Sequence, residues 1–229
     1  MKKKSFLLGL LLVLGFVIYC LAQNQGKQEG TLASLKVGES INLPSPRLKG
    51  DMSLEEAIAK RRSIRSYSPT PLTVQEISQL LWAAQGITEP NRGLRTAPSA
   101  GATYPYEVYV VTNEGVFHYI PKGHKLEKIK DGNIKEDLTA SAMGQTSVRD
   151  AGAVFILTAI YERTARYGER AKLFVNLEGG HIAQNILLQA VALKLGSVPV
   201  GAFNPARVKE VAGLPEGEVV YLIPVGHPR

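Results

Sequence analysis

The sequence of 229 residues predicts one α+β domain that follows an N-terminal targeting segment. Helix and strand patterns are interleaved without regular strand–helix–strand alternation, which argues against a parallel α/β sheet. With 45% hydrophobic and 21% charged residues, the chain has enough apolar side chains for a full core and is neither disordered nor collagen-like. The lone Cys20 excludes a disulfide framework and a cysteine-rich zinc module.

Residues 1–22 have the composition of an export signal or of an N-terminal membrane anchor. Lys2–Lys4 precede a run of 17 residues without a charge, residues 6–22. Small residues before Gln23 favour cleavage, whereas the length of the run is at the lower edge of what spans a bilayer as a helix. We predict a domain that is exported, or anchored to the cytoplasmic membrane through residues 6–22. Residues 23–50 are rich in Gln, Gly, Ser and Pro and predict a linker or an embracing arm.

Capping signals and apolar spacing predict the helices of the domain, residues 51–229. Ser53 and Thr73 each begin a capping-box pattern, and Gly86 ends the second of these helices. Apolar residues at helical spacing then predict an amphipathic helix over 134–143 and the longest helix over 164–195. A final short helix follows Asn204, with a proline at its first turn.

Runs of β-branched and aromatic residues predict the strands. Residues 107–112 and 116–120 flank Asn113-Glu114-Gly115 and predict a hairpin. Residues 153–160 form a continuous apolar run, which is typical of a buried central strand. Shorter strands are predicted over 197–200 and 219–225.

Several function classes lack their motifs. The sequence has no GxGxxG after a strand, no Walker A loop, no GxSxG elbow and no HExxH helix. The four histidines are scattered, so no metal site is predicted. The net charge of +7 includes Lys2–Lys4 and is otherwise dispersed, which argues against a nucleic-acid partner.

Three segments are candidates for a ligand site. The first is the cationic run from Lys60 to Arg65, because arginine forks bind phosphate oxygens in bidentate fashion; the alternative is a solvated helix end. The second is the loop of small residues over 96–105, which lets backbone amides approach a flat ligand or merely connects helix and hairpin. The third is the turn over 197–204, where a strand enters a helix and N–H groups are left unpaired.

These segments belong to a set of six motifs that occur in order: RRSIRSY, LLWAAQGIT, RTAPSAGATYPYEVYVV, LEGGHIAQN, SVPVGAFN and PVGHPR. The set, over residues 51–229, resembles the nitroreductase-like FMN flavoprotein family. It is similar in particular to the branch of SagB-type (azoline) dehydrogenases and oxidases that act beside peptide cyclodehydratases. The resemblance implies an α+β sandwich whose central, mostly antiparallel sheet is flanked by helices. It also implies a homodimer with FMN at the subunit interface.

The resemblance assigns roles to individual residues. Those that would hold the FMN phosphate and ribityl chain are Arg61, Arg62, Ser63 and Arg65, with Arg229 as a further cation near the phosphate. Those that would line the flavin or substrate side are Pro98, Ser99, Ala100 and Gly101. The Gly201–Ala202 turn would lie over the isoalloxazine, with the backbone N–H of Ala202 directed at N5. Ala102 and Gly201 depart from the Asn and Glu that many family members carry there.

The resemblance therefore implies an FMN-dependent oxidoreductase. We expect NAD(P)H as the electron donor and a small nitro-aromatic or quinone-like acceptor, with ping-pong hydride transfer through N5 of the flavin. One alternative is oxidation of a peptide-derived azoline or similar ring, although no Lys-Tyr pair suits the base of such an oxidase. Another is a flavin- or ligand-binding module without turnover. No side chain is assigned to catalysis: Gly179 and Gly180 predict tight packing at the dimer interface, and a chemical role for Glu178 or His181 is the alternative.

Overall fold

The domain is built on one antiparallel sheet, seen in a computed structural model that describes residues 31–229. The strands are β1 (Ser40–Asn42), β2 (Ile87–Glu89), β3 (Leu94–Arg95), β4 (Tyr106–Val111), β5 (Gly115–Ile120), β6 (Lys125–Asp131), β7 (Ala153–Ala159), β8 (Gly196–Ser197) and β9 (Glu218–Gly226). Seven of them form a sheet in the order β1-β6-β5-β4-β7-β9-β8, and every neighbouring pair in it is antiparallel. β2 and β3 form a separate small hairpin.

Helices flank the sheet. They are α1 (Leu54–Lys60), α2 (Val74–Gln85), α3 (Lys135–Ser141), α4 (Thr146–Arg149), α5 (Ala171–Ala192) and α6 (Pro205–Ala212). Short 3-10 turns occur at Leu32–Ser34 and Ala100–Ala102, and a longer 3-10 segment spans Tyr161–Arg170. The helices α2 and α5 pack together, and α3 packs against α6.

The central strand β7 shows how the layers are joined, because all seven of its residues are buried. Val154 and Ile156 belong to an apolar cluster with residues of α3 and α6, such as Leu138 and Val208. Since successive side chains of a strand point to opposite faces, the alternate residues of β7 lie on the other face of the sheet. The sandwich of a sheet between helices agrees with the predicted fold class.

Most predicted elements are found within a residue or two of their expected bounds. Thr73 forms the full capping box with Glu76, and Ser53 accepts a hydrogen bond from the backbone N–H of Glu56. Asn204 caps α6 through its side chain, and Pro205 occupies the first turn. The hairpin β4–β5 and the central strand β7 are also confirmed.

The predicted helix over 164–195 is wrong at its N-terminal end. The chain forms the 3-10 segment Tyr161–Arg170 there, with a kink at Gly168, whose φ of 55° and ψ of −133° are not helical. The α-helix begins only at Ala171. The strand predicted over 197–200 is also shorter than expected: β8 ends at Ser197, and a single bridge joins Val200 to Leu222.

Four strands were not predicted. In the main sheet, β6 forms the other side of β5, and β1 lies at the sheet edge, within the segment predicted as an arm. The other two, β2 and β3, form the small separate hairpin. The predicted export signal or anchor, residues 1–22, lies outside the described residues. Within 31–229, no helix combines the length and the apolar character needed to cross a membrane.

Candidate active site

The cationic segment that follows α1 is held beside β8. Ser63 forms a parallel bridge with Ser197, and the N–H of Ile64 donates to the carbonyl of Ser197 at 3.0 Å. The contact is close, because a Cβ added to Gly196 would lie 2.7 Å from Cγ2 of Ile64. The structure thus brings the arginine segment next to the strand that leads into the 201–202 turn.

The three arginines of this segment are not equivalent. The guanidinium of Arg62 donates to the carbonyls of Ala59 at 3.2 Å and Arg61 at 2.7 Å, so it caps the end of α1. Arg61 is half-buried and Arg65 is exposed. Neither of these two guanidinium groups is within ion-pair distance of a carboxylate of residues 31–229. Arg61 and Arg65 are therefore the cations best placed to receive an anion.

The 201–202 turn is fixed from both sides. Phe203 is buried in the core cluster, and the amide of Gln145 donates to the carbonyl of Ala202 at 2.9 Å. Gly201 and Ala202 themselves are exposed. The nearest atom to a Cβ built on Gly201 is a ring carbon of Tyr221 at 4.0 Å, so the turn presents an open backbone surface.

The N–H of Ala202 is a free donor. It makes no hydrogen bond to any atom in the part of the chain that the structure describes. Gln145 holds the carbonyl of the same residue, in the next peptide unit, and so restrains the turn beside the unused donor. Such a preorganised N–H stabilises negative charge that develops on a bound ligand. Sequence reasoning missed Gln145, which follows a glycine and has no motif around it.

The loop that contains Pro98, Ser99, Ala100 and Gly101 has a constrained backbone. Gly101, Ala102 and Tyr104 have φ values of 59°, 55° and 44°. For residues other than glycine this region costs energy, and such conformations cluster at ligand sites. Ser99 supports the loop by accepting the N–H of Tyr104 on its Oγ at 2.9 Å.

This loop is attached to a different part of the fold from the arginine segment. The guanidinium of Arg166 donates to the carbonyl of Gly101 at 2.6 Å, and Ser99 lies beside Glu178 in the first half of α5. The arginine segment lies beside Ser197, beyond the other end of α5. From Glu178 to Ala192 the helix rises about 20 Å at 1.5 Å per residue. Within one chain, the arginine segment and the turn over 197–204 are therefore adjacent. The loop over 96–105 lies near the N-terminal half of α5 instead.

Arg229 lies close to the arginine segment through its backbone. Its N–H donates to the carbonyl of Ser66 at 3.3 Å. Its exposed side chain lines a cavity of about 210 Å³ together with Lys135, Arg149 and Asp150. The predicted contact of Arg229 with a phosphate stays a prediction.

A buried polar cluster lies beneath the 98–101 loop. Glu178 is 2% exposed, and burial raises the pKa of its carboxyl to about 7, although Ser99, Gln85 and Arg95 act in the opposite direction. Oε1 of Glu178, Nε2 of Gln85 and the hydroxyl of Tyr106 have no hydrogen-bond partner among the described atoms. Gln85 was missed from sequence, although a polar residue at a core position of α2 was the available signal.

The two glycines of α5 have different surroundings. A Cβ on Gly179 would lie 2.4 Å from the hydroxyl of Tyr106, whereas a Cβ on Gly180 would meet nothing within 4 Å in this chain. Gly179 is therefore tightly packed, but against a ring of the same chain, and the packing predicted for the pair at a dimer interface stays a prediction. His181 is exposed on the same side as Gly180.

Comparison with known proteins gives consistent matches. Residues 58–227 match the sequence profile described as the nitroreductase family. MJ1384 of Methanocaldococcus jannaschii, a nitroreductase-like protein, is 41% identical over 197 residues, which cover 83% of this chain and 98% of that protein. The crystal structure of a nitroreductase-like protein from Ralstonia eutropha has a TM-score of 0.76 at 29% identity, over 85% of this chain and 92% of the other.

Two further relatives have more specific names. The microcin B17-processing protein McbC of Escherichia coli is 27% identical over 165 residues, or 66% of this chain and 60% of that protein. The NADPH-flavin oxidoreductase of Vibrio harveyi is 25% identical over 183 residues, or 76% of this chain and 65% of that protein.

Proposed function

Because the chain belongs to the nitroreductase family and is an FMN-dependent oxidoreductase of that family, we propose that it passes electrons from NAD(P)H to a small nitro-aromatic or quinone-like acceptor. The observation that carries this proposal is the free N–H of Ala202, fixed through Gln145 on the exposed turn that adjoins the arginine segment. The NADPH-flavin oxidoreductase among the relatives supports a nicotinamide donor.

The residues present fit FMN. Arg61 and Arg65 have no carboxylate partner within residues 31–229, so their charges are available to the phosphate dianion. Ser63 adds a hydroxyl at the same place, and Arg62 supports the segment by capping α1. The small residues of the 201–202 turn let the backbone lie against a flat ring system. When bound there, FMN supplies hydride transfer through N5.

The chain's own contribution is binding and charge stabilisation. With FMN bound, the N–H of Ala202 would be available to stabilise negative charge on the ring, and Gln145 restrains the turn that carries this donor. The apolar side chain of Phe203 anchors the turn in the core, which limits its movement. These roles need no acidic or basic side chain in direct contact with the ring.

Spectroscopy of the full-length protein tests the proposal. We expect a yellow protein whose visible absorbance is bleached by NADPH without oxygen and is restored by 1,4-benzoquinone. A colourless protein that does not take up added FMN would contradict the proposal. As a matched variant, Ala202→Pro removes the free N–H, and we expect reduction at least tenfold slower at an unchanged FMN affinity.

Oxidation of a peptide-derived ring is the second candidate, favoured by the likeness to a microcin-processing protein. It predicts turnover that depends on oxygen and needs no NAD(P)H. In the same experiment, a protein that is yellow, unaffected by NADPH and reduced by an azoline-containing peptide would replace the first proposal by this one.

We propose further that the working unit is a homodimer. Leu173 and Leu177 are 48% and 52% exposed on α5, and Gly180 and His181 continue the same exposed side at helical spacing. An apolar helix face of this kind is typical of an interface. Within one chain the 98–101 loop lies away from the arginine segment. A partner packed on this face would bring its own 98–101 loop to that segment.

A charge placed on this face tests the dimer. We expect Leu177→Glu to convert a dimeric protein to a monomer in sedimentation and to weaken FMN binding at least tenfold, because burying an unpaired carboxylate at an interface is costly. Met143→Glu is the control, since Met143 is another exposed apolar residue, 74% exposed, and lies just after α3 rather than on α5. A wild-type monomer that binds FMN would contradict the proposed dimer.

Export or membrane attachment of the domain stays a proposal that rests on Lys2–Lys4 and the uncharged run over 6–22. An exported domain would act outside the cytoplasm, whereas an anchored domain would act at the cytoplasmic membrane, and the source of the electron donor and of FMN differs between the two.

A further inference from the structure

Glu178 is a buried carboxyl directly behind the loop that carries Ser99. Three polar atoms without hydrogen-bond partners in the described chain surround this point: Oε1 of Glu178, Nε2 of Gln85 and the hydroxyl of Tyr106. Since a buried ionised carboxylate needs compensating partners, such surroundings favour its neutral form. Ser99 and Gln85 are hydrogen-bonding neighbours of this carboxyl, but its Oε1 stays without a partner in the described chain, so a predicted ligand loop lies beside a carboxyl that is only partly satisfied.

The charges that face the carboxyl are few. Arg95 of β3 is the charged group nearby, and its guanidinium donates to Oε1 of Gln85 at 3.2 Å and lies 4.4 Å from the ring centre of Tyr104. Tyr106 of β4 is the other titratable neighbour. Burial outweighs Arg95 and the polar groups, which leaves the pKa of Glu178 at about 7. The carboxyl therefore exchanges a proton near neutral pH.

Ser99 connects this carboxyl to the ligand side of the loop. Its Oγ accepts the N–H of Tyr104 at 2.9 Å, which leaves one lone pair and the hydroxyl hydrogen. A neutral Glu178 can donate to that lone pair, and the hydrogen of Ser99 is then free to point toward a ligand. An ionised Glu178 instead draws the hydrogen of Ser99 onto itself.

We propose that Glu178 delivers a proton, through the hydroxyl of Ser99, to the acceptor bound against the 98–101 loop. The inference rests on the proposed function and on the proposed homodimer, in which the 98–101 loop of one copy adjoins the cofactor site of the other. A quinone acceptor gains a hydride from the reduced cofactor and a proton on its oxygen. As the new O–H bond forms, the O–H bond of Ser99 breaks, Ser99 takes the proton of Glu178, and the carboxylate regains a proton from water after the product leaves.

The first test is the rate at which 1,4-benzoquinone re-oxidises the reduced holoenzyme between pH 6 and pH 9. For the wild type we expect the rate to fall as pH rises through about 7, because the ionised carboxylate has no proton to give. Glu178→Gln and Ser99→Ala should be at least tenfold slower at pH 6 and lose this pH dependence. Glu127→Gln, on β6, is the control and should behave as the wild type.

A second measurement does not depend on turnover. In the FMN-free protein at pH 6, infrared spectroscopy should show a protonated carboxyl band that disappears by pH 9 and is absent from Glu178→Gln. A wild-type rate without this pH dependence, or a Ser99→Ala variant as fast as the wild type, overturns the proton path, even if Glu178→Gln does not fold. A wild type that takes up no FMN overturns the proposed function instead, and the infrared titration still decides whether Glu178 holds a proton.

Discussion

Replacing Arg61 and Arg65 together by alanine should weaken FMN binding about 1,000-fold, since hydrogen bonds to charged groups contribute ~1.5–3 kcal/mol each. Both guanidinium groups are free of carboxylate partners within residues 31–229 and adjoin the strand that leads to the Ala202 turn. Without them the phosphate has no comparable cation in that segment, because Lys60 pairs with Glu56 and Arg62 is engaged with the carbonyls at the end of α1. Titration of the FMN-free protein by flavin fluorescence measures the effect.

The control for this variant removes the same amount of charge elsewhere. Arg92 and Arg207 are exposed and pair with Glu89 and Glu210 on the surface. Replacing both by alanine should change FMN affinity less than threefold, because only the general field of the protein is altered. If the two double variants lose affinity equally, the arginine segment has no specific role. If neither loses affinity, the phosphate lies elsewhere.

The sequence predicts the elements whose signals are local. The side-chain caps at Ser53, Thr73 and Asn204 depend on residues within three positions of each other, and all three are present, although only Thr73 forms the full reciprocal capping box. The continuous apolar run of β7 is equally local, because both faces of the strand are covered. These signals, with the order of the six motifs, were enough for the fold class.

The strand β6 was missed because tertiary contacts reverse the usual pattern of burial. Lys128 is 2% exposed, lies over the ring of Phe117, and donates from Nζ to the carbonyl of Leu35 at 3.0 Å. A lysine at a core-facing position hides the alternation of apolar and polar residues that predicts a strand. Lys128 also pairs with Asp131 of the same strand at 2.6 Å, but the carbonyl of Leu35 that keeps it at a buried position comes from a distant segment, so the local sequence does not indicate the burial.

The residues of the site also divide into those with a local sequence signal and those that depend on tertiary contacts. The arginine segment and the 201–202 turn are recognisable as motifs, and the structure brings them together through Ser63 and Ser197. Gln145 and Gln85 depend on where other segments pass, so no local pattern indicates them. Whether the residues assigned to FMN hold it is decided by the arginine variants.

The second large predicted effect is on stability and concerns Gly179, where α5 lies against the ring of Tyr106. Gly179→Ala should destabilise the folded protein by about 2 kcal/mol, although alanine is the better helix former by ~1 kcal/mol. The added Cβ would lie 2.4 Å from the hydroxyl and 2.8 Å from Cζ of Tyr106, whose ring is 1% exposed and stands on β4 next to β7. The ring has little room to move, so the helix or the strand must shift. Urea unfolding measures the change.

A double-mutant cycle separates this clash from any other effect of the alanine. The hydroxyl of Tyr106 has no hydrogen-bond partner in the described chain, so Tyr106→Phe alone should cost less than about 1 kcal/mol. In the Gly179→Ala background the same change removes the atom that the new Cβ meets first and should recover part of the lost stability, since Cζ at 2.8 Å still has to move. Strictly additive variants would show that the contact between helix and ring is not what requires glycine at position 179.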